Sequence, residues 1–202
     1  MIKNIVFDMG NVLIHFDPEL FMGRYSISEE DKKLLRNAVF RSAEWVMMDR
    51  GVVNEATAES RILPRLPERL HSVACELIEK WDEPILPVDG MLELLQTLKK
   101  NGYRLYLLSN AAIRQHEYWA RAEASKLMDG TLISADVKLL KPDPQIYQMF
   151  LKKFGLKAEE CVFIDDTPIN VEGALYENMA GIVFNMNVDA LKRSFRALGI
   201  EC

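Results

Sequence analysis

The sequence predicts an α/β fold: a Rossmann-like parallel five-stranded sheet with helices on both faces, plus a small all-helical cap inserted after the first strand. Three observations predict it. Short apolar runs such as Ile5-Val6-Phe7 and Cys161 to Ile164 end abruptly in polar turn residues, as buried strands do. After Pro87 such runs alternate with helical patterns, which implies a parallel sheet covered on both sides. Between about residues 19 and 85 the pattern is helical with no strand. A length of 202 residues suits one core domain with a compact insertion, which we place at 1–16 and 86–202 for the core and 17–85 for the cap.

The elements follow in order. Ile5 to Phe7 is a strand closed by the turn Asp8-Met9-Gly10-Asn11. Val12 to Ile14 resume apolar character, and Asp17-Pro18 breaks it. Ser28 with Asp31 resembles a capping box that opens the first cap helix. Gly51 ends a helical stretch carrying Trp45, Val46, Met47 and Met48, and Asn54 caps a third helix. Pro67 lies near the start of a fourth, with an apolar stripe at Leu70, Val73, Ala74, Leu77, Ile78 and Trp81. Pro84 and Pro87 mark the exit; with Asp17-Pro18 they are the expected hinge segments.

In the core, Asp89 caps a helix through Leu92, Leu95 and Leu98 that Gly102 stops. Tyr103 to Leu108 is a strand ending at Ser109-Asn110, followed by a helix through Tyr118 and Ala122. Thr131 to Ser134 is a short strand. Lys141-Pro142-Asp143-Pro144 opens a helix through Ile146, Phe150 and Phe154, ended by Gly155. Cys161 to Ile164 is a strand ending at Asp165-Asp166, and its helix runs to about Met179. Ile182 to Phe184 is the last strand, and a helix carries Leu191, Phe195 and Leu198.

Composition narrows the function. Apolar residues at 49% and charged residues at 27% are ordinary for a globular protein, which excludes disordered and collagen-like chains. A net charge of -5 with no basic run argues against a nucleic-acid surface. Cys75, Cys161 and Cys202 are odd in number and widely spaced, so neither a disulfide framework nor a zinc knuckle is expected. No apolar run has the length of a membrane span, and the N-terminus reaches a charge too early for a signal peptide. The expectation is a cytoplasmic protein, monomeric or weakly dimeric, with no nucleic-acid or membrane partner; its small phosphorylated substrate is implied only by the resemblance described below.

In an open parallel sheet, ligands bind beyond the carboxyl ends of the strands. Asp8, Ser109-Asn110, Lys141, Asp165-Asp166 and Asn170 all fall there. Three crowded carboxylates favour a hard cation such as Mg²⁺, and Mg²⁺ with Lys141 suits a phosphoryl group. Ser109 can donate to one phosphate oxygen, and the backbone amides of Met9 and Gly10 can cradle another. Asp8 is then the candidate nucleophile. His71 and His116 have no ligand spacing, and Cys161 reads as an inert core residue.

Four segments, in order, resemble the haloacid dehalogenase-like (HAD) superfamily. They are Phe7-Asp8-Met9-Gly10-Asn11-Val12-Leu13, Leu107-Leu108-Ser109-Asn110, Lys141-Pro142-Asp143, and Phe163-Ile164-Asp165-Asp166-Thr167-Pro168-Ile169-Asn170. The branch most similar is that of bacterial sugar phosphatases, including glucose-1-phosphate phosphatases. The resemblance implies Mg²⁺-dependent hydrolysis of a small phosphomonoester, a sugar phosphate foremost, through an aspartyl-phosphate. It makes Asp8 the nucleophile and a metal ligand, and Gly10 a metal ligand through its carbonyl. Ser109 and Lys141 become the phosphate-binding pair, with Asn110 beside them. Asp166 becomes the acidic metal ligand, supported by Asp165 and Asn170.

One position departs from the pattern. Most phosphatases of this superfamily carry a second Asp two residues after the nucleophile, and this chain has Gly10 there. Loss of general acid–base help typically costs about 10²–10⁴-fold in rate. A sugar 1-phosphate, whose anomeric oxygen leaves readily, would need less help. His15 and Asp17 are the nearest alternative proton donors. Two other readings stand beside the phosphatase: a phosphate-ligand binding or interaction protein with weak turnover, and a 2-haloacid dehalogenase, which needs no metal.

Overall fold

The computed structural model describes residues 1–202. Five parallel strands form one sheet in the order β3-β2-β1-β4-β5. They are β1 (Asn4–Phe7), β2 (Arg104–Ser109), β3 (Gly130–Ile133), β4 (Cys161–Asp165) and β5 (Ala180–Val183). β1 is therefore central although it comes first in the chain. Its register, Phe7 beside Leu107 and beside Ile164, sets Asp8 level with Leu108 and Asp165. The chemistry-bearing ends of three strands are aligned by this pairing alone.

Side chains alternate between the two faces of the sheet, as a period of two requires. Ile5, Phe7, Leu105, Leu107, Val162 and Ile164 join the larger apolar core. Val6, Tyr106, Leu108 and Phe163 face the smaller one, with Ile146, Tyr147 and Phe150. Those last three come from α9 (Pro144–Phe154), which begins at the Asp143 cap and stops at Gly155, as the sequence predicts. α6 (Met91–Lys100) and α11 (Val188–Ala197) cover the first face through Leu94, Leu95, Leu98, Leu191 and Phe195. α10 (Pro168–Tyr176) follows β4 directly.

Between β1 and β2 lie α1 (Pro18–Met22), α2 (Glu29–Leu35), α3 (Ala43–Asp49), α4 (Glu55–Ile62) and α5 (His71–Glu79), with no strand among them. The predicted caps hold: Ser28 accepts from the Asp31 amide and Asn54 from the Thr57 amide. Ser42 adds a third by accepting from the Trp45 amide.

Several boundaries differ from expectation. Asp17-Pro18 starts a helix rather than a break, because Pro occupies its first turn and Asp17 accepts from the Glu19 amide. Gly90, at φ 75°, precedes α6 where Asp89 was expected to cap it. α7 (Gln115–Trp119) ends before Ala122, α10 ends at Tyr176 rather than Met179, and Leu198 lies just past α11. In β5 the strand is Ala180–Val183, shifted toward the N-terminus from the expected Ile182 to Phe184. α8 (Ser134–Val137) begins at a residue expected to close β3.

The hinge expectation is overturned. Phe21, Met22, Leu35, Ile62, Leu70 and Ile78 of the inserted helices belong to the same contiguous core as Ile5, Phe7 and Leu107 of the sheet. No helix is long and apolar enough to cross a membrane.

Candidate active site

The aligned strand ends bring Asp8, Ser109, Lys141, Asp165 and Asp166 together. Lys141 is buried beneath the rim. Its Nζ lies 2.6 Å from Asp165 Oδ2 and 2.8 Å from Asp8 Oδ1, and it donates to the Leu108 carbonyl at 3.1 Å. Asp8 Oδ1, itself buried, is thus paired to the Lys141 ammonium. Burial works against the Lys141 charge, but Asp8 and Asp165 outweigh it and hold its pKa above the ordinary lysine value.

Asp165 is fully engaged. It accepts from Lys141, from the Thr167 amide at 2.8 Å and from Asn170 Nδ2 at 3.1 Å. Asn170 is itself fixed, since Tyr147 Oη donates to its carbonyl at 2.6 Å. Asp166 stands differently: it lines the cavity, and Asn11 Nδ2 donates to it at 3.2 Å. Asp165 is thus bound into the frame, and Asp166 faces the open side.

Oxygens of Asp8, Asp165 and Asp166 lie within 4.8 Å of one another, against a single ammonium. Burial pushes the Asp8 carboxyl up to about 6; Lys141 opposes the rise and Asp165 adds to it. Burial also raises Asp166, with Asn11 opposing and Asp165 adding. One ammonium does not balance three carboxylates. Their clustered oxygens, with Asp166 on the cavity side, fit a hard, oxygen-preferring cation.

A cavity of about 220 Å³ opens over this rim. Asp8, Gly10, Ser109 and Asp166 form its base. Phe16, Trp45, Trp81 and Tyr118 form an aromatic side, packed edge to face or tilted with centroids 5.0 to 5.8 Å apart. The amides of Gly10 and Asn110 take no backbone carbonyl partner, which leaves them for a ligand, while the Met9 amide donates to the Asp8 carboxylate. The Asn110 side chain is otherwise occupied: its Oδ1 accepts from the Lys141 amide at 2.9 Å and its Nδ2 donates to the Lys141 carbonyl at 3.1 Å. That clasp sets the Lys141 loop, a positioning role for the Asn110 side chain.

His15 and Asp17 are not brought to the cavity. Phe16 lines it, and neighbours on extended backbone point to opposite sides. Asp17 is exposed and committed to capping α1. Two residues went unassigned in the sequence. Asn11, at φ 53°, joins Asp166 to the β1 turn and accepts from the Phe16 amide at 3.0 Å; the signal was an Asn after Gly, a residue that tolerates this backbone. Asp49, at the end of α3, lines the cavity beside Asp8. Its signal was one acid closing the apolar run Trp45 to Met48.

A parallel sheet whose strand ends gather Asp8, Ser109, Lys141, Asp165 and Asp166 defines an α/β protein with a candidate site where open sheets bind ligands. The family model for haloacid dehalogenase-like hydrolases matches residues 2–176, and the chain belongs to that family. It is 34% identical over 114 residues to flavin mononucleotide hydrolase 1 of Arabidopsis thaliana, covering 56% of this chain and 46% of that protein, about half its length. It is 26% identical over 189 residues to a phosphorylated carbohydrates phosphatase of Thermotoga maritima, covering 91% and 86%. Its fold is similar to that of a HAD family enzyme from Bacteroides thetaiotaomicron solved with magnesium, at TM-score 0.73 and 23% identity, covering 96% and 98%.

Proposed function

We propose that this protein is a Mg²⁺-dependent phosphatase that hydrolyses a small phosphomonoester, a sugar phosphate foremost, through an aspartyl-phosphate on Asp8. The observation that carries this reading is the Asp8 carboxylate. It follows the central strand, is paired to a buried lysine at 2.8 Å, and lines the cavity together with Asp166. A dehalogenase would not require the second carboxylate, Asp166, on the cavity face. A pure binding site would not require a carboxylate pointed at an anionic ligand.

Asp8 and Asp166, with the Gly10 carbonyl, would hold Mg²⁺, which supplies positive charge for the phosphoryl oxygens. Ser109 and the free amides of Gly10 and Asn110 orient the phosphoryl group, with the Met9 amide holding the Asp8 carboxylate beside it. Lys141 offsets its charge and holds Asp8 in place. Asp8 attacks the phosphorus, and water then releases phosphate from the acyl phosphate. Aromatic faces beside polar groups suit a sugar ring, and the Thermotoga relative supports that choice. Three unpaired cysteines are in keeping with a cytoplasmic monomer or weak dimer.

The test is phosphate release with Mg²⁺ or with chelator, from paired sugar 1-phosphates and 6-phosphates, flavin mononucleotide and 4-nitrophenyl phosphate. Metal-dependent release that falls to background in Asp8→Asn is expected. Equal release by wild type and variant would refute the reading. Flavin mononucleotide as the best substrate would move the substrate class from sugar to flavin.

A further inference from the structure

Phosphoryl transfer to Asp8 leaves a negative oxygen on the departing group. Unless that group is stable as an anion, something must protonate it. Gly10 offers only backbone, and His15 and Asp17 lie off the cavity. Lys141 is buried between two carboxylates. Glu55, the first residue of α4, lines this cavity but also a second one further out, which places it toward the mouth.

Asp49 is different. It reaches the cavity from α3, on the inserted side, opposite the strand end that carries Asp8. No ion pair engages it, and its carboxyl takes a hydrogen bond only from the Ala112 backbone amide. The end of α3 is fastened to the sheet by three contacts. Ser134 Oγ donates to the Asp49 carbonyl at 2.5 Å, and Arg50 Nε donates to the Lys138 carbonyl at 3.2 Å. Gly51, at φ 71°, packs so closely on Ala135 that a Cβ would stand 2.3 Å from its carbonyl oxygen. A side chain left unpaired, yet held on a backbone fixed from three directions, is poised rather than incidental.

We propose that Asp49, carried in by the inserted helix, is the catalytic acid–base of this site; the assignment rests on the phosphatase reading above. In the first step an Asp8 oxygen bonds to phosphorus. The bond from phosphorus to the leaving oxygen breaks, and its electron pair stays on that oxygen, which takes the Asp49 proton and departs as an alcohol. In the second step the Asp49 carboxylate takes a proton from water as the water oxygen bonds to phosphorus. The phosphorus–Asp8 bond breaks, its electrons return to the Asp8 carboxylate, and inorganic phosphate leaves with Asp49 reprotonated. Burial supports the role by holding the Asp49 carboxyl well above the usual range; the Ala112 amide opposes this, and the Asp8 charge adds to it.

The experiment compares wild type and Asp49→Asn on an alkyl phosphomonoester and on 4-nitrophenyl phosphate, whose phenolate needs no protonation. Expected is a loss of about 10²–10⁴-fold in kcat/KM on the alkyl ester. On the nitrophenyl ester kcat/KM stays near wild type, with a burst of one equivalent of nitrophenol before slow turnover. Asp49→Ala should regain alkyl-ester turnover when formate is added. Equal losses on both esters, or no loss on either, would overturn the assignment. So would the same split in Glu55→Gln but not in Asp49→Asn. Wild type that hydrolyses neither ester would remove the phosphatase reading itself, and this assignment with it.

Discussion

Replacing Lys141 by Met removes the only cation from a buried cluster and leaves its carboxylates facing one another. The two contacts, at 2.8 Å to Asp8 and 2.6 Å to Asp165, each represent about 6 kcal/mol of gross attraction at an effective dielectric of about 20. Most of that offsets the cost of burying the charges. What remains visible is the penalty for stranding the partners, about 3–5 kcal/mol. For a chain of this size that corresponds to a fall in Tm of about 6–20 °C at pH 8. The sign of the pH dependence follows from Asp8. Its pKa in the folded protein is raised even with Lys141 present, and it must rise further without it. Acidification then protonates Asp8 in the variant and removes the repulsion with Asp165. The deficit in Tm should shrink between pH 8 and pH 5. Thermal melts of both proteins at the two values check this. A deficit under about 2 °C at pH 8, or one unchanged at pH 5, would refute the view that Lys141 neutralises this cluster.

The metal-free protein should gain stability from Asp8 as pH falls. The folded pKa of about 6 lies above 3.8, so this contribution is full below about pH 4 and lost as pH rises through 6, about 3 kcal/mol in all. Mg²⁺ competes with those protons, so it should raise Tm more at pH 7.5 than at pH 5, and equal shifts would count against Asp8 as a ligand. Gly51→Ala places a Cβ 2.3 Å from the Ala135 carbonyl oxygen at a positive φ. It should lower stability by more than about 2 kcal/mol, read as the denaturant midpoint, and reduce turnover by shifting α3; an unchanged midpoint would show that the contact relaxes freely.

The parts of this molecule that were legible in its sequence are those decided locally. Strand ends at Asp8, Ser109 and Asp165 follow from apolar runs meeting polar turns, and the caps at Ser28, Asn54 and Asp143 follow from side chains that bond backbone amides within three residues. The site's base was legible because parallel pairing must align strand ends. What was not legible depends on contacts between distant segments. Asp49 reads as the polar end of a core helix until Ser134 and Ala135 fix where that helix stops. Trp45 and Trp81 lie in apolar helical stretches of the sequence, but no spacing says which side of an aromatic cluster is left open to a cavity. The hinge expectation failed for a related reason. Proline-marked crossings show where a chain passes between units, not whether the units share a core.

The central position of β1 has a consequence for synthesis. Asn4 pairs with Arg104 on one side and with Cys161 on the other. At about 5–20 residues per second, β1 waits about 5–20 s for its first neighbour to be made and longer for its second. Through that interval Ile5, Val6 and Phe7 have two unpaired edges, which makes the segment that leads into Asp8 an aggregation hazard in the nascent chain. Expression yield should therefore respond to the speed of translation between residues 8 and 104 more than to its speed after residue 165.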